Sequence, residues 1–108
     1  MSDPFALISN AASIPWAEVP CLPAEDFVAA MSEALDRKAR LCSFFGVPDG
    51  GGTCLVAVLA FDADNTLAIG RSAAFSGNFP SLTPDHPQAH LFEREMWEQH
   101  ELTPVGHP

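Results

Sequence analysis

The chain has 108 residues, with 14 acidic and only 5 basic side chains and a formal net charge of −9 at neutral pH. This length supports one hydrophobic core, and the apolar fraction of 47% is typical of a globular protein. The acidic excess argues against nucleic acids and anionic membrane surfaces as partners. No apolar run approaches the length of a membrane span, so direct membrane insertion is not expected.

The start of the chain, MSDPFALISN, lacks the basic region of a secretory signal, so we expect a cytoplasmic protein with reduced thiols. Cys21, Cys42 and Cys54 are widely spaced and form no Cys-x-x-Cys pair. This spacing argues against a zinc or iron–sulfur site built from them. We therefore predict buried, reduced cysteines.

An irregular arm, a short strand and a helix are predicted in the first 40 residues. Residues 1–18 contain prolines and scattered small residues and are predicted to be an irregular arm; residues 18–22 follow as a short strand. Residues 23–40 are predicted to be a helix, because Pro23 suits a first helical position and acidic residues follow it. Its apolar stripe comprises Phe27, Val28, Met31, Ala34 and Leu35.

The hydrophobic period then changes to two, which predicts three strands and the turns between them. The strands are residues 41–47, 53–61 and 66–75, and the turns are 48–52 and 62–65. The predicted fold class is therefore α+β, an antiparallel meander of at least three strands packed with two main helices. The middle strand is apolar on both faces, so the arm, the last helix or a partner protein must cover the second face. An uncovered face predicts that the isolated chain self-associates as a homodimer.

The last helix is predicted to follow a loop at 76–87, to begin near Asp85 or Pro87 and to end at His100. Its apolar face comprises Ala89, Phe92 and Met96. Glu93 falls inside this apolar sector, so its carboxylate must find a hydrogen-bond donor. Leu91 lies on the outer face beside Arg94 and Glu98, which is typical of a surface that meets another protein.

Candidate catalytic chemistry is sparse. His86 and His90 have the i, i+4 spacing of a helical metal site to which Glu93 could add an oxygen, although surface or capping histidines explain the pattern better. The PDGGGT stretch lacks the lysine and the following helix of a phosphate-binding loop. Ser81 and Thr83 are predicted to be turn or cap residues. No catalytic residue is predicted.

The stretch PSLTPDHPQAHLFEREMWEQHELTPVGHP, residues 80–108, resembles the C-terminal signature of the 30-kDa subunit family of respiratory complex I. The matching residues are Ser81, Ala89, Glu93, Arg94, Glu95, Gly106, His107 and Pro108. Glu98 stands where the family usually has Asp, Glu101 replaces the usual glycine, and His100 stands where an aromatic residue is common. The form with HLFEREMWEQ is most similar to the domain fused to, or paired with, the large subunit of energy-converting nickel–iron hydrogenases of the formate hydrogenlyase and hydrogenase-4 type.

The resemblance implies one non-catalytic structural domain over residues 1–108, without a cofactor or a metal, whose tail at 101–108 leads into a further C-terminal region. It implies a place in a peripheral arm at the cytoplasmic face of the membrane, against the large subunit and the small iron–sulfur subunit. The implied structural and docking residues are Ser81, Ala89, Leu91, Glu93, Arg94, Glu95, Trp97, Glu98, Gly106, His107 and Pro108. The alternatives are a small metal-dependent enzyme using His86, His90 and Glu93, or an unrelated protein-interaction module.

Overall fold

A computed structural model describes residues 5–9, 14–100 and 102–106, with the backbone alone for 98–100. Within these residues, seven strands and two helices form an α+β fold, as predicted. In chain order they are β1 (Ala6–Ser9), β2 (Cys21–Leu22), α1 (Ala24–Asp36), β3 (Arg40–Asp49), β4 (Gly52–Phe61), β5 (Thr66–Ser72), β6 (Asn78–Pro80), α2 (His90–His100) and β7 (Thr103–Val105).

Helix α1 starts where the sequence predicts and ends four residues earlier than the predicted residue 40. Pro23 forms its N-terminal boundary, and the predicted apolar stripe is buried. At the other end Lys38 adopts a φ of 74°, and the backbone N–H of Ala39 donates to the carbonyl of Ala34 over 3.1 Å. The N–H of Lys38 donates to the carbonyl of Leu35 over 3.0 Å. Together these bonds form a Schellman motif, which stops the helix without the usual glycine.

The predicted meander of β3, β4 and β5 is confirmed as the antiparallel centre of the main sheet. Gly50 and Gly51, with φ values of 55° and 90°, form the two-residue turn between β3 and β4. Cys42 is an extra residue in β3, at a bulge between Leu41 and Ser43. Strand β5 ends at Ser72 rather than at residue 75, because Phe75 instead bridges to Thr53 in β4.

The prediction of an irregular arm over residues 1–18 is wrong for part of that segment. Residues 6–9 form β1, which pairs antiparallel with β5 over Ala6↔Ile69 to Ser9↔Thr66. Residues 16–18 form a 3-10 turn, and β2 is limited to two residues that run parallel to the end of β5. The main sheet therefore has the order β1-β5-β4-β3, with β2 beside β5.

The prediction of a loop over residues 76–87 is also wrong in part, since residues 78–80 form β6. This strand pairs in parallel with β7, so the predicted tail also holds a strand. A 3-10 turn at Pro87–Ala89 leads into α2, whose first residue, His90, lies slightly later than predicted. The side-chain amide of Gln88 accepts a 2.8 Å hydrogen bond from the N–H of Leu41, which joins the start of α2 to the edge strand β3.

One hydrophobic core lies on one side of the main sheet. Both helices contribute to it, α1 through Phe27 and Met31 and α2 through Met96, in one cluster with Leu55 and Leu59 of β4. The other side of β4, which includes Val56 and Val58, lies outside this core cluster. The last helix therefore does not cover the second face of the sheet.

The cysteines only partly match the prediction of buried thiols. Cys54 is buried, whereas Cys21 and Cys42 are exposed at a sheet edge and at the bulge. Burial raises the pKa of the Cys54 thiol. In the part of the chain that the structure describes, no helix has the length and apolar character needed to cross a membrane.

Candidate functional site

The candidate site is built around the carboxylate of Glu93, which is fully buried in the first turn of α2. One carboxylate oxygen accepts hydrogen bonds from the hydroxyls of Ser81, at 2.7 Å, and Thr83, at 2.6 Å. The other oxygen accepts a 2.8 Å bond from the backbone N–H of Leu82. Short bonds to an ionised acceptor are among the stronger hydrogen bonds in proteins. The predicted need for a donor at Glu93 is therefore met by three.

The segment that supplies these donors is tightly folded. The N–H of Thr83 donates to the Ser81 hydroxyl over 3.2 Å, and the N–H of His86 donates to the carbonyl of Leu82 over 2.7 Å. The side chain of Leu82 is only 3% exposed and belongs to the core. The Glu93 carboxylate thus fixes the backbone on both sides of an apolar anchor. We call residues 81–83 together with Glu93 the carboxylate clamp.

The clamp also joins α2 to the two-stranded sheet of β6 and β7. The N–H of Ser81 donates to the carbonyl of Val105 over 2.9 Å, and the N–H of Thr103 donates to the carbonyl of Gly77 over 2.8 Å. Gly77 and Gly106 have φ values of 99° and 90°, which residues other than glycine rarely adopt. The structure therefore brings Ser81, Glu93 and the segment before Gly106 together in space.

The opposite side of α2 is exposed and partly apolar. Leu91 is 71% exposed and Trp97 is 58% exposed, and Arg94 and Glu95 are exposed between them. The predicted outward orientation of Leu91 is confirmed. Ala89, by contrast, is fully buried directly before α2, where only a small side chain packs against the core. We call Leu91, Arg94 and Trp97 the outer side of α2.

Three of the predicted docking residues have no described side chain. Glu98 is one of the helical residues for which only the backbone is described, and His107 and Pro108 lie outside the described residues. The structure consequently shows where eight of the eleven predicted residues lie, from Ser81 to Gly106.

The metal-site alternative required His86, His90 and Glu93 to converge. His86 precedes the 3-10 turn, and its Nε2 lies 3.2 Å from the Ser32 hydroxyl and 3.3 Å from an Asp36 carboxylate oxygen, so it faces α1. Both carboxylate oxygens of Glu93 already accept hydrogen bonds in the clamp. Among the described residues, no group of three or more His, Cys, Asp or Glu side chains is arranged to hold a metal ion.

A cavity of about 250 Å³ lies between α1 and the loop of the clamp. It is bounded by Glu25, Val28 and Ser32 of α1 and by Pro80, Leu82 and His86 of the loop. The lining also includes the carboxylate of Asp85, and the Ser32 hydroxyl in it lies 3.2 Å from His86 Nε2. The Asp36 carboxylate lies 3.3 Å from that same nitrogen, whereas a Ser–His–Asp relay needs the acid on the other ring nitrogen, so these groups do not form a nucleophilic active site.

Sequence reasoning named Ser81 and Glu93 but missed two other contributors. Thr83 was predicted to be a turn or cap residue, although its hydroxyl makes the shortest bond to the carboxylate. The backbone N–H of Leu82 leaves no trace in a sequence. The spacing of two hydroxyl residues ten and twelve positions before an inward-facing Glu is the one signal that could have indicated the clamp.

Comparison with models of known protein families finds no match to this chain, and comparison with curated protein sequences finds no significant relative.

Proposed function

We propose that this chain is a non-catalytic structural and assembly domain of a membrane-associated oxidoreductase complex, either a nickel–iron hydrogenase or an NADH:quinone oxidoreductase relative. In this role it docks the large subunit and the small iron–sulfur subunit at the cytoplasmic face of the membrane. It holds no cofactor and no metal of its own. The large subunit is either an adjacent chain or a continuation of the same polypeptide.

One observation carries the proposal: the resemblance motif divides cleanly between the two sides of α2. Ala89, directly before α2, and Glu93, in its first turn, match the family signature and are buried. The half-buried Ser81, which also matches, donates a 2.7 Å hydrogen bond to Glu93 on that side. Arg94 and Glu95, which also match, lie exposed with Leu91 and Trp97. The buried residues of the motif stabilise the fold, and the exposed apolar residues beside it form a helix surface that another protein can contact.

The absence of catalytic geometry around Glu93 agrees with a structural role. A general acid or base must reach a substrate proton, whereas the Glu93 carboxylate is fully buried and already accepts three hydrogen bonds. The exposed apolar side chains on α2 are better suited to contact a protein surface than a small polar substrate.

The test is affinity purification of the tagged chain from its own host, followed by mass spectrometry of the proteins that accompany it. We expect a hydrogenase-like or complex-I-like large subunit and a small iron–sulfur subunit. The double variant Leu91→Ser/Trp97→Ser should lose them. Leu7→Ser is the matched control, because Leu7 is also an exposed leucine, at 49%, but lies on β1 at the sheet edge opposite α2.

Recovery of the chain without any oxidoreductase subunit would overturn the assignment to such a complex. Recovery of the same subunits with the double variant as with the wild type would instead remove the outer side of α2 from the interface.

A further inference from the structure

A second surface, distinct from α2, is left largely uncovered by the residues that the structure describes. Strands β3, β4 and β5 direct a continuous set of apolar side chains away from the core, namely Phe45, Val47, Val58, Leu67 and Ile69, which we call the open face. Phe45 is 42% exposed and the other four are half-buried. An antiparallel sheet that faces water normally carries polar residues at such positions. This apolar face is therefore a candidate interface.

The described residues cover only one corner of the open face. Arg71 donates a 3.1 Å hydrogen bond to the carbonyl of Val19, and its guanidinium lies 4.6 Å from the centre of the Trp16 ring. This contact places the 3-10 turn at Trp16–Glu18 over the end of β5. Neither α1 nor α2 contributes to this side of the sheet, because both belong to the core on the other side.

The dimensions of the open face fit one helix. Four adjacent strands, β1, β5, β4 and β3, span about 14 Å between the outer strand axes, at about 4.8 Å per spacing. A helix with its side chains is about 10 Å wide, so two helices side by side would need about 20 Å. The outward side of β4 from Cys54 to Ala60 is about 20 Å long, which matches a helix of roughly 14 residues. Cys54, Val56 and Ala60 are already buried there, so a helix would contact β4 through Val58 and the sheet through the flanking side chains of β3 and β5.

Carboxylates stand at both ends of the open face. Asp49 closes β3 at one end, and Asp62 and Asp64 lie in the exposed turn after β4 at the other. Arg40 makes a bidentate pair with Asp62 at 3.1 Å, and this hydrogen bonding lowers the pKa of the Asp62 carboxyl. Together with the net charge of −9, these acidic ends favour a basic occupant.

A depression gives the occupant a place to anchor. It measures about 230 Å³ and lies on the open face at the end nearest the Arg40–Asp62 pair. Val58, Ala60 and Leu67 line its apolar part, and Arg40, Asp62 and Thr66 line its polar part. Interface energy concentrates where a bulky apolar side chain fills such a pocket.

We propose that the open face docks a single amphipathic helix of another protein, whose apolar stripe contacts Phe45, Val58 and Ile69 and whose ends carry Lys or Arg beside Asp49 and Asp64. A second copy of this chain fits less well, because two copies would bring like charges together at both ends of the face. Self-association of the isolated chain stays a prediction. If two copies associate through the open face, we expect the helix to displace the second copy. The open face would bind such a helix whatever complex the chain belongs to.

The probe is a synthetic 16-residue helix of Leu, Ala and Lys, with the leucines in one stripe and the lysines at both ends. The sequence has two tryptophans, Trp16 and Trp97. In the Trp97→Phe variant, Trp16 at the border of the open face is the remaining fluorophore of this type. We expect saturable binding, read from Trp16 emission and confirmed by calorimetry. The same helix with Glu in place of Lys should bind at least tenfold more weakly.

The controls separate the open face from other apolar surfaces. Phe45→Ser with Val58→Thr should weaken binding of the lysine helix at least tenfold, whereas Leu91→Ser on α2 should leave it unchanged. Circular dichroism of each variant checks that the fold persists. The proposal is overturned if the lysine helix does not bind the wild type, or if the lysine and glutamate helices bind equally well. It is also overturned if the chain forms a dimer that the Phe45→Ser substitution dissociates but the lysine helix does not.

Discussion

Two regions of the molecule depart from the usual division between apolar interior and polar surface, in opposite directions. The carboxylate clamp buries a charged group, and the open face exposes hydrocarbon. The clamp is complete within the chain, because Ser81, Leu82 and Thr83 supply three donors to Glu93. The open face is not completed by any described element. A buried charge that is fully satisfied serves the fold, whereas an apolar face without a cover serves a partner.

The largest expected effect is the loss of the clamp. Glu93→Ala removes the acceptor of three hydrogen bonds and leaves the buried N–H of Leu82 without a partner. We expect the free energy of unfolding to fall by about 1–3 kcal/mol. Urea unfolding followed by circular dichroism measures this change.

Glu95→Ala is the matched control, because Glu95 is exposed on the same helix. It should change the free energy of unfolding by no more than about 0.5 kcal/mol. Equal losses in the two variants would show that Glu93 is not the buried acceptor described above.

Removing a single donor of the clamp should lower the free energy of unfolding by less. Thr83→Val keeps the shape of the side chain but removes the hydroxyl that donates to Glu93 over 2.6 Å. The expected loss is about 1–1.5 kcal/mol in the same urea experiment. Thr66→Val is the control, because the Thr66 hydroxyl bonds a carbonyl in an exposed turn and should be nearly neutral. A neutral Thr83→Val would limit the clamp to Ser81 and Leu82.

The open face should tolerate a polar atom that a dry core would not. Val58→Thr keeps a β-branched shape and places a hydroxyl where water can reach it, so the free energy of unfolding should change by less than about 0.5 kcal/mol. Thermal or urea unfolding of the isolated monomer tests this. A loss above about 1 kcal/mol would mean that the face is already covered within the chain, which would end the contrast with the clamp.

The smallest effect concerns thiol chemistry at the margins of the open face. Iodoacetamide should modify the exposed Cys21 and Cys42 in the folded chain and modify Cys54 only after denaturation, as counted by mass spectrometry. Burial raises the pKa of the Cys54 thiol, so the neutral form is favoured in the folded state. The free energy of unfolding should therefore decline slightly as pH rises past the ordinary thiol pKa, because unfolding then releases a proton. Fast labelling of three thiols in the folded chain would contradict this arrangement.

The sequence predicts most of what depends on local periodicity. The stripe of α1, the meander of β3 to β5 and the inward position of Glu93 follow from spacings of 3.6 and two residues. The early end of α1 does not, because residues 36–40 include no glycine to mark it. The left-handed residue there is Lys38, directly before Ala39, which is buried in the core.

The errors of prediction fall on contacts between distant parts of the chain. Strand β1 pairs with residues about sixty positions further on, and β6 pairs with β7 across the whole of α2. Such short strands are stabilised by their partners rather than by their own sequence. The clamp was half predicted for the same reason: the phase of α2 gave Glu93, but the donors at Thr83 and Leu82 depend on how the loop folds back.

The most direct test of the division between fold and partner compares two substitutions on opposite sides of α2 that create the same residue. Glu93→Gln changes a buried acceptor, and Leu91→Gln changes an exposed leucine to a residue of similar helix propensity. Measured by urea unfolding at neutral pH, Glu93→Gln should lower the free energy of unfolding by about 1 kcal/mol or more, and Leu91→Gln by less than about 0.5 kcal/mol. Equal effects, or a larger loss for Leu91→Gln, would contradict the assignment of the buried side to the fold and of the exposed side to a partner.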